Sequence, residues 1–274
     1  MKLSQFGTKI AAESGIGQLM ADLGEAFSSG RKMLMLGAGN PAHVKGIQDY
    51  YRGSMERILA QPGGWGRFIG DYDGPEGFAP FRAALADLFN KEYGWNITEK
   101  NITLTSGSQT AFFMLFNMLA GKFADGTHKR ILLPLAPEYI GYSDIGISED
   151  YFIAGKPEIR HLDEHTFKYY VDFDTVNVTD EVGAICVSRP TNPTGNVLTN
   201  DEIDKLIDIA KANDVPLIID NAYGTPFPDI IFRDVKPVFN EQTIICMSLS
   251  KLGIPAARTG IIIASEEIAS AVAA

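Results

Sequence analysis

An α/β fold, three layers deep with a mostly parallel central sheet, is what this 274-residue chain predicts. Short, nearly continuous apolar runs at 130–135, 183–188, 215–220, 243–248 and 260–264 alternate with helical stretches such as 201–213. Strands buried on both faces of a helix-covered sheet read in that way. The polar residues of chemical interest, among them Asn192, Asp220, Tyr223, Ser248 and Lys251, fall at or just beyond the C-terminal ends of those runs. In open α/β sheets that edge is where ligands bind.

Taken in order, residues 1–30 read as an arm with one helical piece at 17–27, closed by Ser-Ser-Gly30. Residues 33–36 are a short apolar run broken by Gly37 and Gly39, whose missing side chains let backbone approach a ligand. A weakly helical stretch at 43–60 stops at Gln61-Pro-Gly-Gly64, and Asp71-Tyr-Asp-Gly-Pro-Glu-Gly77 marks an exposed loop. A helix over 78–93 follows, with Phe81, Leu85, Leu88 and Phe89 on its apolar face. Then Ile102-Thr-Leu-Thr105 runs as a strand into Ser106-Gly-Ser-Gln109 and an apolar helix at 111–120. Such a strand, polar turn and helix present free backbone N–H groups at a helix start, a setting suited to phosphate. After the strand at 130–135, Ala136-Pro-Glu-Tyr-Ile-Gly-Tyr142 leads into a predicted helix reaching residue 149, and 151–153 is a short strand. Residues 155–181 read as polar and irregular.

Composition narrows the function classes. With 45% apolar and 21% charged residues the chain reads as an ordinary globular protein. Its 24 basic and 34 acidic side chains give a net charge of −10, which disfavours a general nucleic-acid role. Cys186 and Cys246 both lie inside apolar runs and read as core residues of a reducing compartment rather than a disulfide pair. No spacing of His and Cys suggests a metal. The N-terminus lacks the apolar stretch of a signal peptide, and no run is long enough to span a membrane, so a cytoplasmic location is expected.

The chemistry centres on Ser248-Leu-Ser-Lys251, seven residues before Arg258. An amine at the edge of an apolar layer is suited to form a Schiff base with an aldehyde. An arginine with two serine hydroxyls beside it suits a phosphate dianion. Lysine, phosphate grip and strand end together suggest pyridoxal phosphate, PLP. Such a ring needs a carboxylate beside its pyridine nitrogen, and Asp220 ends an apolar strand where an unpaired charge would be costly. Asn192 and Tyr223 could donate to the ring's phenolic oxygen, and Tyr139 could lie flat against one face. Each residue alone reads as readily as a turn former, a helix cap or a packed aromatic.

In this order and spacing, Ser248-Leu-Ser-Lys251 with Arg258, Asn192-Pro-Thr-Gly195, Asp220-Asn-Ala-Tyr223 and Ser106-Gly-Ser-Gln109 resemble the fold-type I PLP enzymes of the aspartate aminotransferase superfamily, the class I/II aminotransferases. The resemblance implies that Lys251 carries PLP as a Schiff base and then acts as general base. It implies that Ser248, Arg258, Ser108, Gln109 and the amide of Gly107 bind phosphate. Asp220 would pair with the pyridine nitrogen, Asn192 and Tyr223 with the ring oxygen, and Tyr139 would stack on the ring. Tyr72 would reach the phosphate of a neighbouring subunit, which implies a homodimer. The backbone of Gly39 would approach the substrate carboxylate, and Asn192 would also bind substrate. The implied domains are residues 1–60, an arm and a segment of a small domain, and 61–274, a PLP-binding large domain.

Tyr72-Asp-Gly-Pro75, Pro134-Leu-Ala-Pro-Glu-Tyr-Ile-Gly-Tyr142, Ser188-Arg-Pro-Thr-Asn-Pro-Thr-Gly-Asn196 and Cys246-Met-Ser-Leu-Ser-Lys-Leu-Gly253 are similar to the branch of the family that exchanges an amino group between valine and pyruvate by a ping-pong route. The sequence departs from the family pattern in having no glycine near Ala256 or Ala257. Family members also run past the position of Ala274 into a small domain with a carboxylate-clamping arginine, so a C-terminal truncation is expected. Other readings on the same fold are a PLP-dependent lyase and a PLP-binding regulatory domain; residues 1–30 carry no basic winged-helix segment, which favours an enzyme.

Overall fold

The computed structural model describes residues 1–30, 32, 34 and 40–274. The apolar run at 33–36 and Gly39 therefore lie outside the described residues, save Leu34. The N-terminal region is helical: α1 (Gln5–Ile10), α2 (Gly15–Ser28), α3 (Lys45–Ala60) and α4 (Gly64–Gly70). Ser4 and Ser14 cap the first two helices by accepting from the N–H groups of Gly7 and Gly17. Next come α5 (Ala79–Tyr93), β1 (Ile102–Thr105), α6 (Ser108–Leu119), β2 (Gly121–Lys122), β3 (His128–Leu133) and β4 (Phe152–Ala154). The remainder is β5 (Glu158–His161), β6 (Phe167–Tyr170), β7 (Val182–Ser188), α7 (Asn200–Ala212), β8 (Leu217–Asp220), β9 (Thr243–Ser248), β10 (Gly260–Ile263) and α8 (Glu266–Ala273).

The sheet runs β1-β10-β9-β8-β7-β3-β2, with β4 also on β3. Strands β9, β8, β7, β3 and β4 pair in parallel. Side chains alternate across it as strand geometry requires. Cys186, Ile218, Ile244 and Cys246 face one layer with Phe112 and Phe116 of α6 and Val272 of α8. Ile185, Val187, Leu217 and Ile219 face the other, with Leu206 and Ala210 of α7. On that second face Ile245, Met247, Ile261 and Ile263 pack with Leu85 and Phe89 of α5. The three-layer α/β expectation holds.

The mostly parallel sheet is mixed at one end, and two sequence expectations change. Strand β10 is antiparallel to both β9 and β1. Residues 249–259 are too few for the crossover that a parallel neighbour needs, so the chain turns straight back. The helix expected to reach residue 149 is only a 3₁₀ turn, Ile140–Tyr142. The segment instead folds around its aromatic rings: a Cβ on Gly141 would sit 2.4 Å from the Tyr139 ring, and one on Gly146 would sit 2.6 Å from that of Tyr151. Asn117 supplies the hydrogen bonds a helix would have made, donating to Ile145 O (2.9 Å) and accepting from Ile147 N (2.8 Å) and Tyr151 OH (2.9 Å). Finally, the stretch read as irregular contains the antiparallel hairpin β5–β6.

Candidate active site

The parallel strands deliver their C-terminal residues to one edge. Ser188, Asp220 and Ser248 end β7, β8 and β9, and Thr105 ends β1. Because β10 runs the opposite way, its first residue, Gly260, lies opposite Ser248 on one side and Thr105 on the other. The loop between Ser248 and Gly260 thus starts and finishes at this edge, and it carries Lys251 and Arg258. Lys251 is half-buried, with its Nζ 5.4 Å from the centroid of the Tyr223 ring. From α3, Tyr51 donates to Leu252 O at 2.9 Å, holding the loop from outside.

One end of the site is built for an anion. Helix α6 starts at Ser108 behind Gly107, and no side chain caps it. The Gly107 N–H, expected at a phosphate, already donates to Thr105 O at 2.8 Å, so the open amides are those of Ser108 and Gln109. The Gln109 side chain donates to Gly141 O at 2.7 Å and ties α6 to the 139–142 turn, which leaves its backbone amide for an anion. Arg258 lies across Gly107 so closely that a Cβ there would be 2.4 Å from Nη2. Arg258 Nη1 donates to Ser250 Oγ (3.3 Å) and to Pro255 O (3.2 Å). Ser248 is buried and its hydroxyl accepts from Ser250 N at 3.1 Å, so the serine seen touching Arg258 is Ser250. Uncapped amides, the macrodipole and a guanidinium converge on one spot.

The other end is a buried acid. Asp220 is 9% exposed; its Oδ2 accepts from Tyr142 OH at 2.6 Å and its Oδ1 from Ala222 N at 2.9 Å. Burial raises its carboxyl above the usual range, against those two hydrogen bonds. Among the described residues it forms no ion pair. A buried carboxylate with donors but no cation matches the proton of a pyridinium nitrogen. With the anion cradle, this fits a molecule that carries phosphate at one end and a basic ring nitrogen at the other, as PLP does.

Tyr139 is half-buried, edge-on to Tyr142 with ring centroids 5.4 Å apart, and electrostatically coupled to Tyr223, Asp220 and Arg258. Burial is the main reason its hydroxyl sits above the usual range. The structure thus brings Lys251, Arg258, Asp220, Tyr223, Tyr139, Ser108 and Gln109 to one edge of the sheet. Asn192, in the loop after β7, is half-buried and stands beyond the same edge. Tyr72 is fully exposed, at 102%, in the loop before α5. Two residues escaped the sequence reading. Tyr142, given no role of its own in the sequence reading, donates to Asp220. Glu138 accepts from the backbone N–H of Ser188 (2.9 Å) and lies 2.5 Å from its hydroxyl. The signal for Tyr142 was weak, since a buried tyrosine packed on Phe112 (4.8 Å) looks apolar in sequence.

Comparison with known proteins agrees with this geometry. Residues 33–274 match the family model for aminotransferase class I and II. The chain is 48% identical over 272 residues to the valine–pyruvate aminotransferase of Escherichia coli (strain K12), covering 99% of this chain and 65% of that one. A Psychrobacter arcticum 273-4 chain assigned as an amino-acid aminotransferase superposes with a TM-score of 0.94 at 44% identity, over 100% of this chain and 66% of that one. The valine–pyruvate aminotransferase of Salmonella typhimurium LT2 gives 0.83 at 47% identity, over 94% and 63%. The chain spans about two thirds of the length of these relatives. The expected aspartate aminotransferase-like fold and its PLP dependence are those of the family, and this chain belongs to the class I and II aminotransferases.

Proposed function

We propose that this chain is the cofactor-holding part of an aminotransferase that moves an amino group from valine to pyruvate, giving 2-oxoisovalerate and alanine by a ping-pong route. The observation that carries the reading is a lysine, an uncapped helix start under an arginine and a cation-free buried carboxylate, all on one sheet edge. The 48% identity to a valine–pyruvate aminotransferase supports the choice of substrates.

Bound PLP supplies an aldehyde that joins amines and a ring that accepts the electron pair left at a substrate carbon when its proton departs. The chain's residues do the rest. Lys251 Nζ anchors the cofactor and is then the base that takes the Cα proton of the amino acid. Ser108, Gln109, Ser248 and Arg258 hold the phosphate, with Ser250 steadying the guanidinium. Asp220, kept in place by Tyr142, holds the proton of the ring nitrogen. Asn192 and Tyr223 donate to the ring oxygen, and Tyr139 covers one face.

Tyr72, exposed on its loop, is assigned to the phosphate of a second subunit in a homodimer. Residues 1–60 are assigned to an arm and a small-domain segment, and residues 61–274 to the PLP-binding domain. No described helix is long and apolar enough to cross a membrane, which is compatible with the proposed cytoplasmic location. The test is optical. A visible cofactor band should bleach with valine or alanine and return with pyruvate, and Lys251→Ala should abolish it. A band indifferent to all three compounds would refute the substrate assignment.

A further inference from the structure

Beneath the ring-nitrogen end lies a second buried acid for which the proposed reaction has no direct use. Glu138 keeps part of its chain at the surface but turns its carboxyl inwards. Oε1 accepts from Ser188 N at 2.9 Å, and Oε2 lies 2.5 Å from Ser188 Oγ. Ser188 Oγ is in turn 3.4 Å from Tyr142 OH, which donates to Asp220 Oδ2 at 2.6 Å. Four side chains therefore stand in a row: Glu138, Ser188, Tyr142, Asp220. They come from the 3₁₀ turn and its approach and from the ends of β7 and β8.

The groups facing this row are Tyr139, Cys186 of β7 and Cys246 of β9, and both thiols are pushed far up by burial. Arg258 makes itself felt at Tyr139, but neither Glu138 nor Asp220 has an ion-pair partner among the described residues. Two carboxylates enclosed without a cation cannot both stay ionised cheaply. Counting protons decides which one yields. Tyr142 has one proton, and Asp220 takes it. Were Glu138 ionised, it would take the Ser188 proton as well, and two oxygen lone pairs would face each other between Ser188 and Tyr142. With the proton on Glu138, the serine hydroxyl turns round, accepts from Glu138 and donates towards Tyr142. Every link then has one proton, all pointing the same way.

We propose that Glu138 is a protonated positioning residue, the head of a one-way chain Glu138→Ser188→Tyr142→Asp220 that leaves the cluster's single negative charge on Asp220. Burial, then hydrogen bonds from Ser188 opposing it, then the charge of Asp220 set the Glu138 carboxyl at about 7, so the proton is held as the pH falls below neutral. The last link, Asp220 towards a pyridinium, rests on the PLP reading; the protonation itself does not.

Two measurements on the complete protein separate them. First, without cofactor, infrared spectroscopy between about pH 5.5 and 7, where ordinary exposed carboxyls are ionised, should show a protonated-carboxyl carbonyl band that Glu138→Gln removes and Asp220→Asn retains. Absence of a band sensitive to Glu138→Gln, or loss of the band in Asp220→Asn alone, overturns the proposal. Second, with PLP, Glu138→Gln keeps a neutral donor at the head of the chain and should hold cofactor affinity within about twofold, while Glu138→Ala should weaken it by roughly tenfold, the effect of about one lost hydrogen bond. Equal affinities for the two variants overturn the positioning role. Failure of every form to bind PLP would sink the cofactor reading and leave the infrared result to decide the protonation.

Discussion

Substituting Gly107 by alanine tests the anion end of the site at one atom. Gly107 has φ 93° and ψ 156°, a region that is essentially glycine's alone. An added Cβ therefore strains the backbone by roughly 1–3 kcal/mol. It would also stand 2.4 Å from Arg258 Nη2, so the guanidinium must swing away from the start of α6. If Arg258 makes one charge-assisted contact to phosphate worth about 1.5–3 kcal/mol, its displacement weakens PLP binding by roughly 10- to 150-fold. Titration of the cofactor's absorbance measures this, and urea denaturation without cofactor reports the backbone cost separately. The decisive form is a double-mutant cycle with Arg258→Ala. If the two side chains act through one clash, the losses overlap and the double variant binds about as weakly as Arg258→Ala alone. Wild-type affinity in Gly107→Ala, or losses that simply add, would refute the reasoning.

Further expectations concern stability. Phe112, 1% exposed between α6 and the sheet, should cost about 3–5 kcal/mol when replaced by alanine, read from a denaturant midpoint at unchanged m-value. Thr199 and Glu202 form a reciprocal cap at the start of α7, so Thr199→Ala should cost about 1 kcal/mol by the same assay. Glu138 has its folded carboxyl raised from 4.5 to about 7, so its stabilising contribution is fully present below about pH 4.5 and lost as pH rises through 7. The loss is at most about 3 kcal/mol, and thermal scans across this window should show Glu138→Gln losing less stability than wild type.

The central strands were legible because a strand covered on both faces must be apolar at every position, and β7, β8 and β9 are buried throughout. The hairpin β5–β6 was not. Residues of β5 are exposed along their whole length, so no face of it needs to be apolar. It is organised by Asp163, which accepts from the N–H groups of His165 and Thr166, and by Arg160 and Lys168, which lie 4.3 and 4.2 Å from the Tyr170 ring centroid. The residues gathered at the sheet edge were legible where motif spacing marks a strand end, as at Asp220 and Lys251. Glu138 and Tyr142 were not, because their roles come from partners 50 and 78 residues away. No local pattern encodes such a pairing.

The return of β10 along β9 gives the lysine loop an unusual mechanical status. With Ser248 and Gly260 locked opposite each other, and Gly260 also against Thr105, both ends of the loop are anchored like the feet of an arch. What lies between can change shape without moving the footings. The interval between Lys251 and Arg258 is thereby a structural gauge, set by how many residues carry the chain over the top of two strands. Lengthening the arch by one residue would leave the sheet and the lysine where they are and shift the guanidinium relative to the helix start it overlies. The spacing between Lys251 and Arg258 is measured out by the sheet.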